Sequence, residues 1–370
     1  MRVLLICGAG IVSGKEIMSL HLLRELKARG HECFVITSEW GCNDFRIRLG
    51  NLEIPFFKLR IGFISKTLTW SAIRMTLIQG FYFPLLLYKY SRLKKKIKPD
   101  VVIHTNFHHA FLLNPVAVNE RNIYWSHEII ANSSFYHRLF HLIGRKTQLF
   151  VPVSNATADS LINVGISRDK VKVIKNGASL ASTTFDGHNL SPKRVLAIIG
   201  QVSQHKGVEV LLKALSDIPK ELFHLKIIGL GNEGYLQGVK ASIDMLGISQ
   251  NCQWVGFVTN TDEIYRGVDI VIVPSIFPDP YPTTVMEAGL RHIPVIASNI
   301  GGLPEMVNDG VNGYLCEAND VISLRNSIMK ILTHTNFESL RSETFRFAVN
   351  NFSIRRFGDN FDELIKEGAN

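Results

Sequence analysis

Cysteine is scarce and unpaired: the 370 residues hold five, at Cys7, Cys33, Cys42, Cys252 and Cys316, with no Cys-x-x-Cys pair and no metal-ligand spacing. That pattern excludes a disulfide-stapled fold and fits a reducing cytoplasm. Long apolar runs are missing too. The first, Val3 to Cys7, stops at Gly8 and is too short for the apolar core of a signal peptide, so the expectation is a cytoplasmic protein. The run Phe81 to Leu87 is followed closely by Lys89 and is too short to span a bilayer. No short-period repeat, low-complexity tract, Asp-x-Asp metal motif or recognisable nucleic-acid module is present, so neither a bound metal nor nucleic acid is an expected partner.

What the sequence does contain is a globular balance of 46% hydrophobic and 20% charged residues over a length that calls for two domains. Its net charge of +9 is carried by the first half. Residues 1–190 hold 25 Lys and Arg against 12 Asp and Glu, and residues 191–370 hold 16 against 20. Much of the excess lies between Arg46 and Lys98, where Arg92, Lys94, Lys95, Lys96 and Lys98 follow Phe81, Tyr82, Phe83, Leu85, Leu86 and Leu87. Cations beside apolar and aromatic groups suit an anionic membrane surface. The alternative is a helix with a buried side and a solvated charged face.

The chain opens as a βαβ unit. Val3 to Cys7 reads as a buried strand, and a helix runs from about Gly14 to Arg29 with Ile17, Leu20, Leu23 and Leu26 at near-helical period. Gly30 ends it, and Cys33 to Thr37 is the next strand. Further strands are expected at Asp100–His104, Asn122–Trp125 and Leu149–Val153, all short buried runs of the parallel-sheet kind. The pattern restarts at Val195–Ile199 and continues through Leu225–Ile228, Cys252–Val255, Ile270–Val273 and Pro294–Ala297. The expected fold is therefore α/β, with two Rossmann-like domains whose parallel sheets face a central cleft. The domains are placed at 1–185 and 186–351, with a linker at 182–193. An amphipathic tail from about 352, carrying Ile354, Phe357, Phe361 and Leu364 on one side, is expected to pack back onto the first.

The most informative block is PSIFPDPYPTTVMEAG, residues 274–289. Asp279 and Glu287 are eight positions apart, but Pro280 and Pro282 forbid one helix through both. Asp279 then belongs to a loop, Thr283 or Thr284 to a helix start with Val285 beside them, and Glu287 to the first turns. Such a start suits a phosphate, and the carboxylates suit sugar hydroxyls.

This block resembles the E-x7-E motif of the retaining glycosyltransferases of family 4, of the GT-B fold class, with Asp279 in place of the first Glu. The likeness continues downstream through Pro294–Ser298, the Gly301-Gly302-Leu303-Pro304-Glu305 turn and Asn308–Gly313. Upstream, Gly200-Gln201 to Lys206-Gly207 resembles the family's Gly-Arg…Lys-Gly loop, and Gly229-Leu230-Gly231 its Gly-x-Gly turn. The resemblance implies that Glu287 binds ribose hydroxyls, Asp279 a donor-sugar hydroxyl and Lys206 the diphosphate. The family's arginine is Gln201 here, and a neutral amide cannot offset pyrophosphate charge.

The same resemblance places Trp254-Val255-Gly256-Phe257 against the nucleotide base, although its aromatics suit a core equally well. It sets Ser13-Gly14 near the donor phosphate, with Gly8-Ala9-Gly10 only a near miss to a dinucleotide fingerprint. His127, which ends the strand before Glu128, would touch the donor sugar. His104, His108 and His109 cluster without a matching thiolate or carboxylate set, which favours packing or solvated roles over metal binding. Val153-Ser154 and Asn176-Gly177 resemble two further family segments, with structural and functional roles both open. The function implied is retaining, metal-independent transfer from a nucleotide-diphosphate sugar to a glycan or lipid-linked acceptor. Surface polysaccharide assembly at the inner face of the cytoplasmic membrane is the expected setting. The alternatives are a non-catalytic sugar-nucleotide-binding protein and a Rossmann oxidoreductase.

Overall fold

A strand buried on both faces needs apolar side chains on both, which is why unbroken Val, Ile and Leu runs mark a parallel sheet covered by helices. The computed structural model of the chain describes residues 1–8, 12–62, 70–118, 120–180 and 193–367. It divides into two units, the first made of Met1–Gly177 and Ile354–Asn370, the second of Ala178–Ser353. All but Lys193 of the expected linker lies outside the described residues.

The first unit holds strands β1 (Arg2–Ile6), β2 (Glu32–Ser38), β3 (Phe56–Leu59), β4 (Val101–His104), β5 (Arg121–Ser126) and β6 (Leu149–Pro152). They form one sheet in the order β3-β2-β1-β4-β5-β6, with every pairing parallel. Val3 to Ile6 and Val101 to Ile103 are buried throughout. The helices are α1 (Gly14–Ala28), α2 (Asn43–Asn51), α3 (Trp70–Ile97), α4 (Phe107–Leu113), α5 (Ser134–Gly144) and α6 (Asn155–Asn163). Gly30, at φ 83°, takes the left-handed turn that ends α1.

The second unit repeats the plan. Its strands are β7 (Arg194–Ile199), β8 (Phe223–Ile228), β9 (Cys252–Gly256), β10 (Ile270–Val273), β11 (Val295–Ser298) and β12 (Gly313–Cys316), in the all-parallel order β12-β11-β10-β7-β8-β9. Its helices are α7 (Val208–Ser216), α8 (Glu233–Met245), α9 (Thr261–Tyr265), α10 (Thr283–Gly289), α11 (Val321–Leu332) and α12 (Phe337–Asn351). Leu196, Leu211, Leu215, Ile227, Ile272 and Ile328 sit in one core between this sheet and its helices.

The last helix, α13 (Ile354–Lys366), belongs to the first unit and packs on α1. Its apolar side buries Phe357, Phe361, Leu364 and Ile365. The rings of Phe357 and Phe361 lie 5.8 and 5.1 Å from that of Trp125. Arg29 with Asp359 at 2.6 Å and His31 with Asp362 at 2.7 Å close its polar edge. Long-range burial of this kind, more than local propensity, holds a 13-residue helix in place.

Candidate functional site

In each sheet the connections reverse direction beside the central strand. The chain leaves β1 toward β2 and β3, then returns to lay β4 on its other side; β7 and β10 repeat the move. Where neighbouring strands send their connections to opposite faces, a crevice opens at their carboxyl ends. The residues singled out in the second unit fall there. Gly200 and Gln201 follow β7, Pro274 to Asp279 follow β10, and Gly229 to Gly231 follow β8.

Backbone contact locks two of these loops together. Gly207 has φ 69°, and a Cβ on it would lie 1.8 Å from the Pro274 carbonyl oxygen, so only glycine lets the Lys206 loop cross the end of β10. The Ile276 N–H donates to the His205 carbonyl at 3.0 Å. Lys206 Nζ forms an ion pair with Asp279 Oδ2, which also accepts from Ser275 Oγ at 3.5 Å. From the other side the Gly302 N–H donates to the Asp279 carbonyl at 2.7 Å. A Cβ on Gly301 would stand 2.5 Å from that same oxygen. The Gly-Gly turn and the Lys-Gly loop thus fix Asp279 between them, with its carboxylate against the part-exposed Lys206 ammonium.

The prolines act as the spacing predicts: α10 begins at Thr283, leaving Asp279 in the loop and Glu287 on the helix. Thr283 and Thr284 are half-buried and Val285 is buried. Glu287 accepts a hydrogen bond from the Tyr265 hydroxyl at 2.9 Å. Burial raises its carboxyl above the ordinary range, while Tyr265, Arg291 and Thr283 pull the other way. Burial and the neighbouring Glu287 push the Tyr265 phenol well up. Arg291 lies over the Tyr265 ring at 4.9 Å, pairs with Asp262 at 2.6 Å and donates to the Glu287 carbonyl at 3.1 Å. Sequence reasoning missed Tyr265, Arg291 and Asp262. Arg291 follows Glu287 by four positions, in the turn just past the end of α10, which is the signal the sequence offered.

At the end of β9, Val255 and Phe257 are exposed, Phe257 to 64%, while Trp254 is part-buried against the core. The aromatics therefore divide, one for packing and one facing outward. Gly256 takes φ 79°, and its carbonyl accepts a hydrogen bond at 2.8 Å from the N–H of Gly229, the residue after β8. A Cβ on Gly231 would lie 2.3 Å from the Val202 carbonyl oxygen, so the Gly-x-Gly turn presses on the segment after Gln201. Gln201 itself is exposed.

In the first unit, Ser13 and Gly14 are exposed at the start of α1, where the Ser13 N–H donates to Glu16 at 3.0 Å. Gly10 lies outside the described residues. His127, at the end of β5, stacks obliquely on Trp125 at 4.2 Å, and its Nε2 is buried without a hydrogen-bond partner. Burial, with Lys15 nearby, holds its imidazole well below the ordinary range, so the ring is neutral at pH 7. Lys15 also acts on Glu128 and His109, which makes it a hub that sequence reasoning missed. His104 and His109 are buried in the sheet end, and burial lowers His104 to about 4. Gly8 is there to make room: a Cβ would stand 3.0 Å from the His109 ring. Among the described residues no three His, Cys, Asp or Glu side chains gather as a metal site.

Two Rossmann-like units, each with its loops at a switch point, define a protein of the GT-B class. Family models agree along almost the whole chain: residues 12–182 match Glycosyltransferase Family 4, and residues 183–344 match Glycosyl transferases group 1. The chain belongs to the group 1, family 4 glycosyltransferases. It is 24% identical over 258 residues to an uncharacterized glycosyltransferase of Methanocaldococcus jannaschii, covering 65% of this chain and 63% of that one. It is 25% identical over 246 residues to an uncharacterized protein in the cps region of Klebsiella pneumoniae, covering 62% and 64%. The chain thus spans under two thirds of the length of these curated relatives. Among solved structures, Anabaena Alr3699/HepE in complex with UDP and glucose superposes with a TM-score of 0.85 at 20% identity, covering 99% of this chain and 100% of that one. The lipopolysaccharide outer core galactosyltransferase WaaB gives 0.76 at 17% identity, covering 99% of each.

Proposed function

We propose that this chain transfers a sugar, with retention and without a metal ion, from a nucleoside-diphosphate sugar to a glycan or lipid-linked acceptor in bacterial surface polysaccharide assembly. The observation that carries the reading is the Lys206–Asp279 pair held at the β7/β10 switch point, with Glu287 on the helix that follows. In such a transfer the diphosphate leaves as an anion while the anomeric carbon becomes cation-like, and neutralising the leaving charge lowers the barrier. Lys206 is the ammonium for that charge, and the Thr283 and Thr284 hydroxyls and nearby backbone N–H groups are the neutral donors. Asp279 takes a sugar hydroxyl, Glu287 takes the ribose hydroxyls, and the exposed Val255–Phe257 turn takes the base. In the first unit the neutral His127 ring, with Nε2 unengaged, suits a sugar hydroxyl.

Support for the donor class comes from HepE, a structural neighbour described with UDP and with UDP-glucose. Support for the pathway comes from relatives tied to lipopolysaccharide and to a cps region. Contact with an anionic membrane rests on α3. No described helix is long and apolar enough to cross a membrane. Yet Trp70, Ile73, Leu77, Phe81, Leu85 and Tyr88 are all exposed, and at 3.6 residues per turn they fall within an arc of about 120°. Arg92 and Lys95 continue the same arc. An apolar stripe with the exposed Arg74 inside its arc and further cations at its end suits a helix lying in the plane of an anionic interface.

The test is diphosphate release from a panel of nucleotide sugars by the full chain. Lys206→Ala should lower turnover by about 10²–10³-fold, the usual cost of losing one charge-stabilising donor, with the thermal melt little changed. Undiminished turnover removes the assignment.

A further inference from the structure

The first unit carries a second feature that the donor chemistry does not use. Beside the exposed stripe of α3, a cavity of about 600 Å³ opens between α3, α4 and the end of α5. Gly80 and Phe83 line it from α3, Leu112 and Pro115 from the α4 side, and Leu142 and Ile143 from α5. Carbon dominates this lining. Its rim differs: Arg145 and Lys146 follow α5 at the cavity and are both exposed. On the α3 wheel, Gly80 borders the outward apolar arc and Phe83 lies about 60° further round, so the cavity continues that arc toward the core.

An open apolar cleft of this size, rimmed by charge, has the character of a binding site rather than of bare surface. An extended peptide would bring unpaired backbone polar groups to a carbon-lined wall. A hydrocarbon chain brings none. The two cations at the rim supply what such a chain's anionic head requires, a short reach of charge beside the apolar slot. We propose that this cavity holds the hydrocarbon chain of the lipid-phosphate-linked acceptor, with its phosphate on Arg145 and Lys146. The inference rests on the acceptor half of the reading above. It adds the subsite and makes the anchoring chemical group a long-chain alkyl or prenyl phosphate.

Gly80 provides the discriminating variant. A Cβ there meets no atom within 4 Å, and the position is exposed on a helix, so a larger side chain fills the cavity without displacing the core. The measurement is calorimetric titration of the full chain with octyl, decyl and dodecyl phosphate below their aggregation concentrations, with inorganic phosphate as the head-only probe. Each buried methylene should tighten binding about fourfold, so dodecyl phosphate should bind about 15-fold more tightly than decyl phosphate. Gly80→Trp should abolish the chain-length dependence, and Gly80→Ala should keep it. Arg145→Glu with Lys146→Glu should weaken all three ligands by about tenfold or more while leaving the chain-length ratio intact.

Chain-length dependence that survives Gly80→Trp, or affinity that ignores chain length in the unmodified chain, overturns the proposal. So does a concentration-dependent dimer that Gly80→Trp dissociates, because the occupant would then be a second copy. UDP titrated in parallel separates this failure from failure of the donor reading. If UDP binds and the alkyl phosphates ignore Gly80→Trp, the cavity assignment falls alone. If the alkyl phosphates behave as expected and no nucleoside diphosphate binds, the donor reading falls alone.

Discussion

Glu287 shows how much of a site depends on groups that its motif does not contain. To take ribose hydroxyls as proposed, its carboxylate must stay ionised and aimed while half-buried, and desolvation alone works against that. The Tyr265 hydroxyl at 2.9 Å, itself braced by Arg291 over its ring, offsets the cost. Tyr265→Phe should therefore weaken UDP binding by about tenfold or more, since a hydrogen bond to a charged group is worth about 1.5–3 kcal/mol. The loss should grow below pH 6, because the carboxyl pKa rises further once the hydroxyl is gone. Titration calorimetry at pH 7.5 and 5.5 checks both parts, and an unchanged affinity denies Tyr265 its role. The spacing of Asp279 and Glu287 and the two prolines between them were legible in the sequence, because prolines act locally. Tyr265 was not, since it precedes Glu287 by 22 positions and only the packing of α9 against α10 brings them together. Lys15 was equally hidden, since its charge acts on His127 and Glu128 from more than a hundred positions away in the chain.

Elements were legible where an apolar run marks them, and burial alone was no guide: β9 was read though it alternates between part-buried and exposed, and β12 was missed though three of its four residues are buried. β1, β4, β7 and β10 announce themselves as apolar runs, whereas β3 and β12 are short and broken: Phe56–Leu59 carries Lys58, and Gly313 opens β12. Gly313 is there because a Cβ would lie 1.8 Å from the Val295 carbonyl, a constraint that only the folded sheet imposes. The continuity of α3 through Pro84 was also not evident, since an internal proline ordinarily ends a helix. Helix α13 was readable from its apolar face, and its energetics follow from that face. Phe361 is fully buried against Trp125 and Phe357, so Phe361→Ala should cost about 3–5 kcal/mol. Urea unfolding followed by circular dichroism should show a destabilised transition for the first unit, and a cost under about 1 kcal/mol would mean that α13 is dispensable to it.

Acid should act unequally on the two units of the molecule, because their buried titratable groups differ in sign. In the first unit burial lowers His21 and His104 to about 4 and holds His109 and His127 well below the ordinary range. Unfolded histidine titrates near 6.5, so between about pH 6.5 and 4 the unfolded first unit binds protons that the folded one refuses. Stability is therefore full above that window and lost as pH falls through it, by about 3 kcal/mol for His104 alone. Glu128, raised by burial, returns part of this, since a carboxyl that protonates early in the folded state gains stability as pH falls. In the second unit that favourable sign belongs to Glu287, set against the half-exposed His292. The first unit should thus give way first on acidification. Trp40, Trp70 and Trp125 lie in it and Trp254 in the other, so the Trp254→Phe chain reports the first unit alone by fluorescence. A chain keeping only Trp254 reports the second. Between pH 7.5 and 5 the urea midpoint of the first reporter should fall markedly more than that of the second. Equal shifts would mean either that the buried imidazoles do not set the acid limit or that the two units unfold as one.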